Sequence, residues 1–328
     1  MLLSVLAASP RARATDCEPA SGVSTCFDAN NLWLSAGPSR FSSIAAAEPL
    51  PRHTLAFAAF GSYLDRPVLL SAPSPDPEGR EIAVVRRTVD LSLAHAYGVT
   101  SSLEVSLASA MVLYQAGSGA EGITSQSAPP LASAAVRDPR VGVGYAIPFP
   151  VPGAHLKSRL ELGLPLGDAH LYAGAGAFTL APSLALGLRR GPFHAASEVG
   201  VRLRRAVPFA SARIGSQLST AVGAGVDVLG ELLSVEAEAF MLPSLVSQPG
   251  RDSATSRVRD GVLVPAEWLA SLRSVPTADP GLALSLGGGT GIPLSSELEE
   301  SPDGETTRRF AGVTTPRFRL FFGARYQR

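Results

Sequence analysis

Apolar residues recur at every second position between Val85 and Tyr114, and this alternation constrains the fold more than any other feature of the chain. Two alternating runs are joined by a short reversal at residues 98–102. Successive side chains of a β-strand point to opposite faces, so a period of two gives each strand one apolar face and one polar or small face. The stretch therefore predicts an antiparallel hairpin. In the first run, over residues 90–99, His95 is the one polar residue on the apolar parity.

The same alternation recurs along most of the chain and predicts about twelve strands. Each run is close to the ~9–11 residues with which a tilted strand crosses a bilayer. Residues 266–273 fit a short helix as well as a strand. The other candidate strands are residues 53–63, 140–149, 156–166, 175–187, 194–204, 214–227, 233–241, 282–286 and 317–327.

Long and short connections alternate nearly throughout, which is typical of an up-and-down barrel in the outer membrane. The long ones are residues 64–81, 115–138, 244–262 and 294–315, and the short ones centre on Thr100, Pro152, Gly191, Gly230 and Asp279. In such barrels the short turns lie on the periplasmic rim and the long loops lie outside. An even number of strands then places both termini in the periplasm.

Composition favours a membrane barrel over a soluble β-sandwich or adhesin. Charged residues make up 17% of the chain and the mean hydropathy is +0.19, yet no uninterrupted apolar run of about 18 residues occurs beyond the N-terminus. The non-apolar face of the strands is largely Gly, Ala and Ser, whereas a sandwich would expose Lys, Glu and Thr. A closed barrel also satisfies every backbone group in lipid. We therefore predict an all-β, antiparallel, up-and-down transmembrane barrel of about 12 strands over residues 53–328.

The N-terminus resembles an export signal over residues 1–14, although a basic region before its apolar core is missing. Cys17 and Cys26 are the only cysteines, and in an exported chain such a close pair predicts a disulfide loop. Residues 15–52 are then a periplasmic lead-in that could serve as a plug. A formal net charge of zero gives no reason to expect nucleic acid as a partner.

Charged residues on the non-apolar parity are candidates for a pore lining. They describe either a slightly cationic channel or a salt-bridged filling, because barrels of 8 strands are filled while 16–18 strands leave a channel. The predicted pore-lining residues are Arg140, Lys157, Arg159, Glu161, Glu198, Arg202, Arg204, Arg213, Asp227, Glu236, Glu238, Arg317, Arg319 and Arg325.

Motifs of enzymes are weak. Residues 117–122 match a dinucleotide fingerprint but lie in a predicted loop with no following helix. Residues 287–291 are Gly-rich but lack the lysine and the helix of a phosphate loop, and the five histidines show no metal-ligand spacing. His95, near Ser92 and Ser106, is the one candidate for a barrel lipid hydrolase. We predict no catalytic residue, no metal and no cofactor.

Several short motifs resemble exported barrel modules of proteobacteria, especially those of myxobacterial type. They are Cys26-Phe27-Asp28-Ala29 with Leu32-Trp33, Arg137-Asp138-Pro139-Arg140, the run 287–291, and Thr315-Pro316-Arg317-Phe318-Arg319. These modules look like the N-terminal barrel of OmpA-family proteins, in which a calcium-binding repeat and a peptidoglycan-binding domain often follow. The sequence has no such domain before Arg328, so the resemblance implies no tethering to the cell wall. Assembly signals favour a terminal aromatic, where this sequence has Arg328.

These features together predict a monomeric outer-membrane protein that is not an enzyme, with outer-membrane lipid and the barrel-assembly machinery as partners. It would be a structural envelope protein or a narrow pore for small polar solutes. The alternatives are a transporter of hydrophobic compounds with residues 15–52 as its plug, and an adhesion or interaction module that acts through the long loops.

Overall fold

The computed structural model describes residues 24–72, 80–119, 131–209, 212–229, 232–248, 263–274, 281–294 and 315–328. The strands are β1 (Leu55–Ala72), β2 (Arg80–Gly98), β3 (Leu103–Ala116), β4 (Ala135–Val136), β5 (Arg140–Ile147), β6 (Ala154–Gly163), β7 (Thr179–Arg190), β8 (Phe193–Arg202), β9 (Val207–Phe209), β10 (Ala212–Ile214), β11 (Gln217–Val228), β12 (Leu233–Met241), β13 (Ala266–Ser274), β14 (Gly281–Gly291) and β15 (Phe318–Gln327). A 3-10 turn, Ala169–Leu171, lies between β6 and β7.

Twelve of these strands close into an antiparallel barrel, in the order β1-β2-β3-β5-β6-β7-β8-β11-β12-β13-β14-β15 and back to β1. Closure is visible at Ala56, which lies opposite Ala96 of β2 on one side and Gln327 of β15 on the other. The predicted fold class is therefore confirmed, and residues 266–273 form a strand rather than a helix. β4 is a short addition to β3, and β9 pairs with β10 in the connection between β8 and β11.

The outer face of the barrel is apolar and the inner face is polar or small. On β3, Leu113 is 52% exposed on the outside, while Glu104 is 5% exposed on the inside. Lipid, unlike water, suits such a belt of exposed apolar side chains. It includes Val105, Leu107, Leu113, Val143, Leu160, Leu184, Val199, Val222, Val235, Trp268, Leu282, Leu320 and Phe322.

Short and long connections lie at opposite ends of the barrel. At one end, which we call the short-turn rim, β2, β5, β7, β11 and β13 end and β3, β6, β8, β12 and β14 begin. At the other, the long-loop end, β3, β6, β8, β12 and β14 end and β5, β7, β11, β13 and β15 begin. Arg328 lies at the short-turn rim, where its backbone N–H donates to Leu55.

The prediction of a loop over residues 64–81 is wrong at both of its ends. β1 continues to Ala72 and β2 begins at Arg80, so the two strands extend as a ribbon beyond the barrel. Pro67 is tolerated because β15 stops pairing with β1 at Asp65, and the ladder between β1 and β2 shifts register between Asp65 and Val68. Proline fits a strand at such an edge or bulge, where no ladder hydrogen bond is lost.

Across the described ranges, no helix is long and apolar enough to span a bilayer.

Candidate functional site: the occupied lumen

Residues 24–50, which we call the lumenal segment, pass through the barrel from one end to the other. At the long-loop end, the backbone N–H of Ser24 donates to the carbonyl oxygen of Pro208 in β9 at 2.8 Å. At the short-turn rim, the chain turns at residues 51–54, and the backbone N–H of His53 donates to Gly98 at the end of β2. Between these points the segment contacts inward-facing residues of strands around most of the barrel wall.

Apolar side chains of the lumenal segment pack against small residues of the wall. Phe41 and Ile44 are 4% and 0% exposed and belong to one cluster with wall alanines. Gly223 makes room for them, because a Cβ there would lie 2.7 Å from Phe41 Cε1. Small residues on the inner face are therefore what lets a second layer of chain fit inside a twelve-stranded barrel. The wall members of this cluster are Ala56, Ala58, Phe60, Ala94, Ala96, Ala108, Ala221, Phe240, Leu242, Leu269 and Phe321.

Charged side chains of the wall bind the backbone of the lumenal segment. Glu238 accepts hydrogen bonds from the backbone N–H groups of Ser42 at 2.9 Å and Ser43 at 2.8 Å. Glu198 accepts one from Ala45 at 2.7 Å. These bonds matter because a segment without regular secondary structure has few other partners for its buried backbone groups.

Arginines of the wall bind the backbone carbonyl groups of the same segment. Arg140 donates to Leu34 O at 3.0 Å, Arg202 donates to Asn31 O at 2.9 Å, and Arg325 donates to Phe41 O at 2.8 Å. The segment is thus held by both signs of charge on the wall.

Trp33 lies between two of these arginines. The guanidinium carbons of Arg140 and Arg202 lie 4.4 Å and 4.2 Å from the centroid of the indole ring. Both distances fall within the ~6 Å range of cation–π attraction. Trp33 therefore occupies the part of the lumen where the wall would otherwise present like charges to each other.

Two ion-pair clusters lie in the half of the lumen that is nearer to the long-loop end. Arg137 pairs with Asp28 of the lumenal segment and with Asp90 of β2, at 2.9 Å for the latter. Arg319 of β15 is 0% exposed and donates to Glu267 of β13 at 2.9 and 3.1 Å.

Asn30 of the lumenal segment joins these two clusters. Its side-chain amide donates to Asp90 at 2.9 Å, and its carbonyl oxygen accepts from Arg319 at 3.0 Å.

Further ion pairs lie in the middle of the lumen and near the short-turn rim. Lys157 of β6 donates to Glu104 of β3 at 2.9 Å, and Arg159 donates to Glu161 at 2.5 Å. Near the short-turn rim, Arg40 of the lumenal segment pairs with Asp227 of β11 at 2.7 Å, and Arg189 pairs with the other oxygen of Asp227 at 3.2 Å.

Eleven of the predicted pore-lining residues lie on barrel strands and face the lumen, where they contact other residues of the wall or the lumenal segment. Arg204 lies just after β8 and donates to Gly215 O and to Gln217. Arg213 is exposed on β10, outside the barrel strands, and Arg317 is exposed before β15 at the long-loop end. Those two do not line the lumen, because they lie outside the barrel strands, where alternation along the sequence no longer indicates which side faces the lumen. The eleven are Arg140, Lys157, Arg159, Glu161, Glu198, Arg202, Asp227, Glu236, Glu238, Arg319 and Arg325.

A second apolar cluster, which we call the outer cap, closes the long-loop end. Phe27 at its centre is 1% exposed, and its ring centroid lies 5.3 Å from that of Tyr172 and 4.9 Å from that of Phe209. Val68 and Val84 of the β1–β2 ribbon complete one side. The β1–β2 ribbon, which was predicted to be a loop, therefore helps to close the long-loop end of the barrel.

Asp138 ties a neighbouring connection to the barrel next to the outer cap. Its carboxylate accepts hydrogen bonds from the backbone N–H groups of Gly167 at 2.8 Å and Ala175 at 2.7 Å. Burial raises the pKa of Asp138 to about 6, and these two hydrogen bonds limit the rise.

The space that remains in the lumen is divided into small cavities. Three of about 20 to 30 Å³ each border Trp33, which is enough for a water molecule or two. A larger cavity of about 240 Å³ opens at the short-turn rim, between residues 38–48 of the lumenal segment and the wall. The lumenal segment thus separates the rim from the long-loop end.

The other sequence-predicted features have simple placements. His95 faces outward beside Phe57, at 4.8 Å between ring centroids, whereas Ser92 and Ser106 lie on the inward parity, so these three side chains form no common site. Cys26 is buried in the outer cap, while Cys17 lies outside the described residues, so the disulfide stays a prediction. Residues 1–14, predicted as a signal, also lie outside them.

No group of three or more His, Cys, Asp or Glu side chains that could hold a metal ion occurs in the described part of the chain.

Sequence reasoning missed Asp28, Asp90 and Arg137, which form one of the clusters of the outer lumen. Asp90 carried a usable signal, because it lies on the inward parity of β2. Asp28 and Arg137 occur in the short motifs of the resemblance, but nothing there indicates an ion pair. Both lie outside alternating runs and meet only when the lumenal segment is in place.

The sequence matches no protein-family model and no curated protein. The structure is similar to the COG4313 outer membrane channel from Pseudomonas putida F1, with a TM-score of 0.56 and 12% identity over 89% of this chain and 99% of that one. The NanC porin matches with a TM-score of 0.47 and 6% identity, over 82% of this chain and 98% of that one. A FadL homologue from Pseudomonas aeruginosa matches with a TM-score of 0.35 and 10% identity, over 84% of this chain and 89% of that one. The first likeness establishes that the fold is that of an outer-membrane β-barrel.

Proposed function

We propose that the protein is an outer-membrane channel for small polar solutes and that the lumenal segment holds it closed. The observation that carries this proposal is the set of partners that the charged side chains of the wall bind. Wall arginines and glutamates bind the backbone of a separate stretch of chain, at Asn31, Leu34, Ala45 and others, rather than pairing only with each other. A barrel filled permanently by its own side chains has no need of such a segment.

The wall beneath the lumenal segment suits polar solutes. If the segment moved aside, Arg140, Arg202, Glu198 and Glu238 would face an open passage with their hydrogen-bonding groups available to water and solute. Rings of charged side chains are the usual means by which pores admit and select hydrophilic solutes. Location in a bacterial outer membrane, with the short-turn rim in the periplasm, is part of the same proposal and is supported by the apolar belt.

Deletion of residues 24–50 tests this proposal in planar lipid bilayers. We expect the deletion variant to show steady ion conductance in ordinary salts, while the intact protein is mostly silent. A shift in gel mobility between heated and unheated samples reports that the barrel has closed. A closed barrel that stays silent after the deletion would contradict the proposal and favour a structural role.

A point substitution provides a milder form of the same experiment. Trp33→Ala removes the side chain that separates the three small cavities, so we expect more frequent openings than in the intact protein. Trp268→Ala is the matched control, because Trp268 is the other tryptophan and faces lipid at 44% exposure.

A transporter of hydrophobic compounds is the second candidate, and the apolar outer cap favours it. The charged wall between the cap and the short-turn rim favours polar solutes instead. Action through the long loops as an adhesion module, the absence of enzymatic activity, and membership of the OmpA family all stay predictions.

A further inference from the structure

We propose that the cavity at the short-turn rim binds a small organic carboxylate through Arg273. The inference rests on the proposed function for its place on a transport path, and it names the class of solute. The cavity measures about 240 Å³ and lies between residues 38–48 of the lumenal segment and the ends of strands β6, β7, β8, β13 and β15. Its charged or titratable lining residues are Arg40, Glu48, His155, Arg189, His194 and Arg273.

Arg273 is the group that calls for a ligand. Its side chain lines the cavity and the residue is 9% exposed. Glu236 and Asp227 attract its guanidinium electrostatically, but the guanidinium makes no side-chain hydrogen bond within the described ranges. A guanidinium has five N–H donors and no acceptor, so burial without an acceptor carries a large desolvation cost. An anion in the cavity would supply the missing acceptors.

The carboxylates nearest to Arg273 already have other partners. Asp227 accepts from Arg40 at 2.7 Å and from Arg189 at 3.2 Å. Glu236 accepts from Ser234 Oγ at 3.2 Å and Ser271 Oγ at 3.5 Å, and His194 Nε2 lies 3.5 Å from it. Glu48 lies at the mouth with a side chain 62% exposed. Arg273 is therefore the cation of this group whose guanidinium has no hydrogen-bond acceptor in the described part of the chain, although Glu236 and Asp227 attract it.

The geometry favours a carboxylate with a compact apolar body. Arginine binds the two oxygens of a carboxylate in a forked, bidentate arrangement. Apart from Ser39 and Gln327, the uncharged lining offers no hydrogen-bonding side chains to a ligand, and it includes Phe41, Ala46 and Ala196. The volume exceeds the ~150 Å³ of an apolar cavity known to hold benzene. Benzoate has both features and is a suitable probe.

Calorimetric titration of the folded, detergent-solubilised protein tests the site. We expect benzoate to bind saturably and benzamide, its neutral analogue of the same shape, to bind at least about tenfold more weakly. Arg273→Gln should weaken benzoate binding at least about tenfold. Arg190→Gln is the matched control, since Arg190 is exposed on the same rim outside the cavity, and it should leave binding unchanged.

A second variant guards against a simple folding defect in the first. Ala196→Leu fills the cavity but keeps Arg273, so it should abolish benzoate binding while the gel-mobility shift of a closed barrel persists. The proposal is overturned if benzoate shows no saturable binding, if benzamide binds equally well, or if the Arg273 and Arg190 variants behave alike. These titrations need no open channel, so a silent deletion variant in bilayers would count against the channel and not against this site.

Discussion

A few fully buried charged residues hold the wall and the lumenal segment in one network. Arg319 shows this most clearly. It contacts Glu267 of β13, two strands away in the wall, at 2.9 Å, and Asn30 of the lumenal segment at 3.0 Å. Both charged groups are almost without exposure to water, 0% for Arg319 and 1% for Glu267. Charges buried to this extent persist only when they are paired and hydrogen-bonded.

Arg319→Gln should therefore destabilise the folded barrel by about 3–5 kcal/mol, because it leaves Glu267 as an uncompensated buried charge. Urea unfolding in detergent micelles measures the change in the free energy of unfolding. Arg317→Gln, at an exposed position two residues earlier, should change it by less than about 0.5 kcal/mol. The double variant Arg319→Gln with Glu267→Gln should recover part of the stability lost in Arg319→Gln. If Arg319→Gln, Arg317→Gln and the double variant all lost the same free energy of unfolding, the Arg319–Glu267 ion pair would be ruled out as the cause.

Elements differ in how far the sequence determines them. Eleven of the twelve barrel strands were predictable, because each has one inward face and one lipid-exposed face, which gives its sequence a period of two. The twelfth, β13, was ambiguous, since residues 266–273 fit a short helix as well as a strand. The β1–β2 ribbon was not predictable, since Pro67 resembles a loop signal and is tolerated only at the bulge after Asp65.

The lumenal segment was even less readable as part of the site, because it has no periodicity. Its register depends on contacts with distant strands, such as Ser42 and Ser43 with Glu238. Sequence reasoning could therefore supply the wall of the candidate site but not its occupant, apart from the suggestion that residues 15–52 could act as a plug.

The outer end of the lumenal segment is anchored by one aromatic side chain, which makes its mobility testable. Phe27→Ala removes the contacts with Tyr172 and Phe209 and should weaken the anchorage by about 3 kcal/mol. We expect a larger fraction of time in open states in bilayer recordings, with the gel-mobility shift of the barrel unchanged. Phe322→Ala, which alters a lipid-facing side chain at 53% exposure, should leave the recordings as they are. Identical recordings from both variants would mean that the outer cap does not control the segment.

Across the whole molecule, the path of the lumenal segment places the two described ends of the chain on opposite sides of the barrel. Ser24 lies at the long-loop end beside Pro208, and Arg328 lies at the short-turn rim beside Leu55. Because the lumenal segment crosses the entire lumen, it closes the lumen at two levels, in the outer cap and around Trp33. Opening from the short-turn rim would then leave the outer cap to be released separately.

Orientation in the membrane decides which compartment meets each of these closures. Since long loops of outer-membrane barrels lie outside the cell, we expect Leu245, 57% exposed at the long-loop end, to face the medium, and Ser101 at the short-turn rim to face the periplasm. Leu245→Cys should therefore react with a membrane-impermeant maleimide on intact cells, and Ser101→Cys should react only after the outer membrane is permeabilised. The unsubstituted protein corrects for labelling of Cys17 and Cys26. The reverse pattern would place the anion cavity of the short-turn rim at the cell surface, where it would meet solutes before the outer cap does.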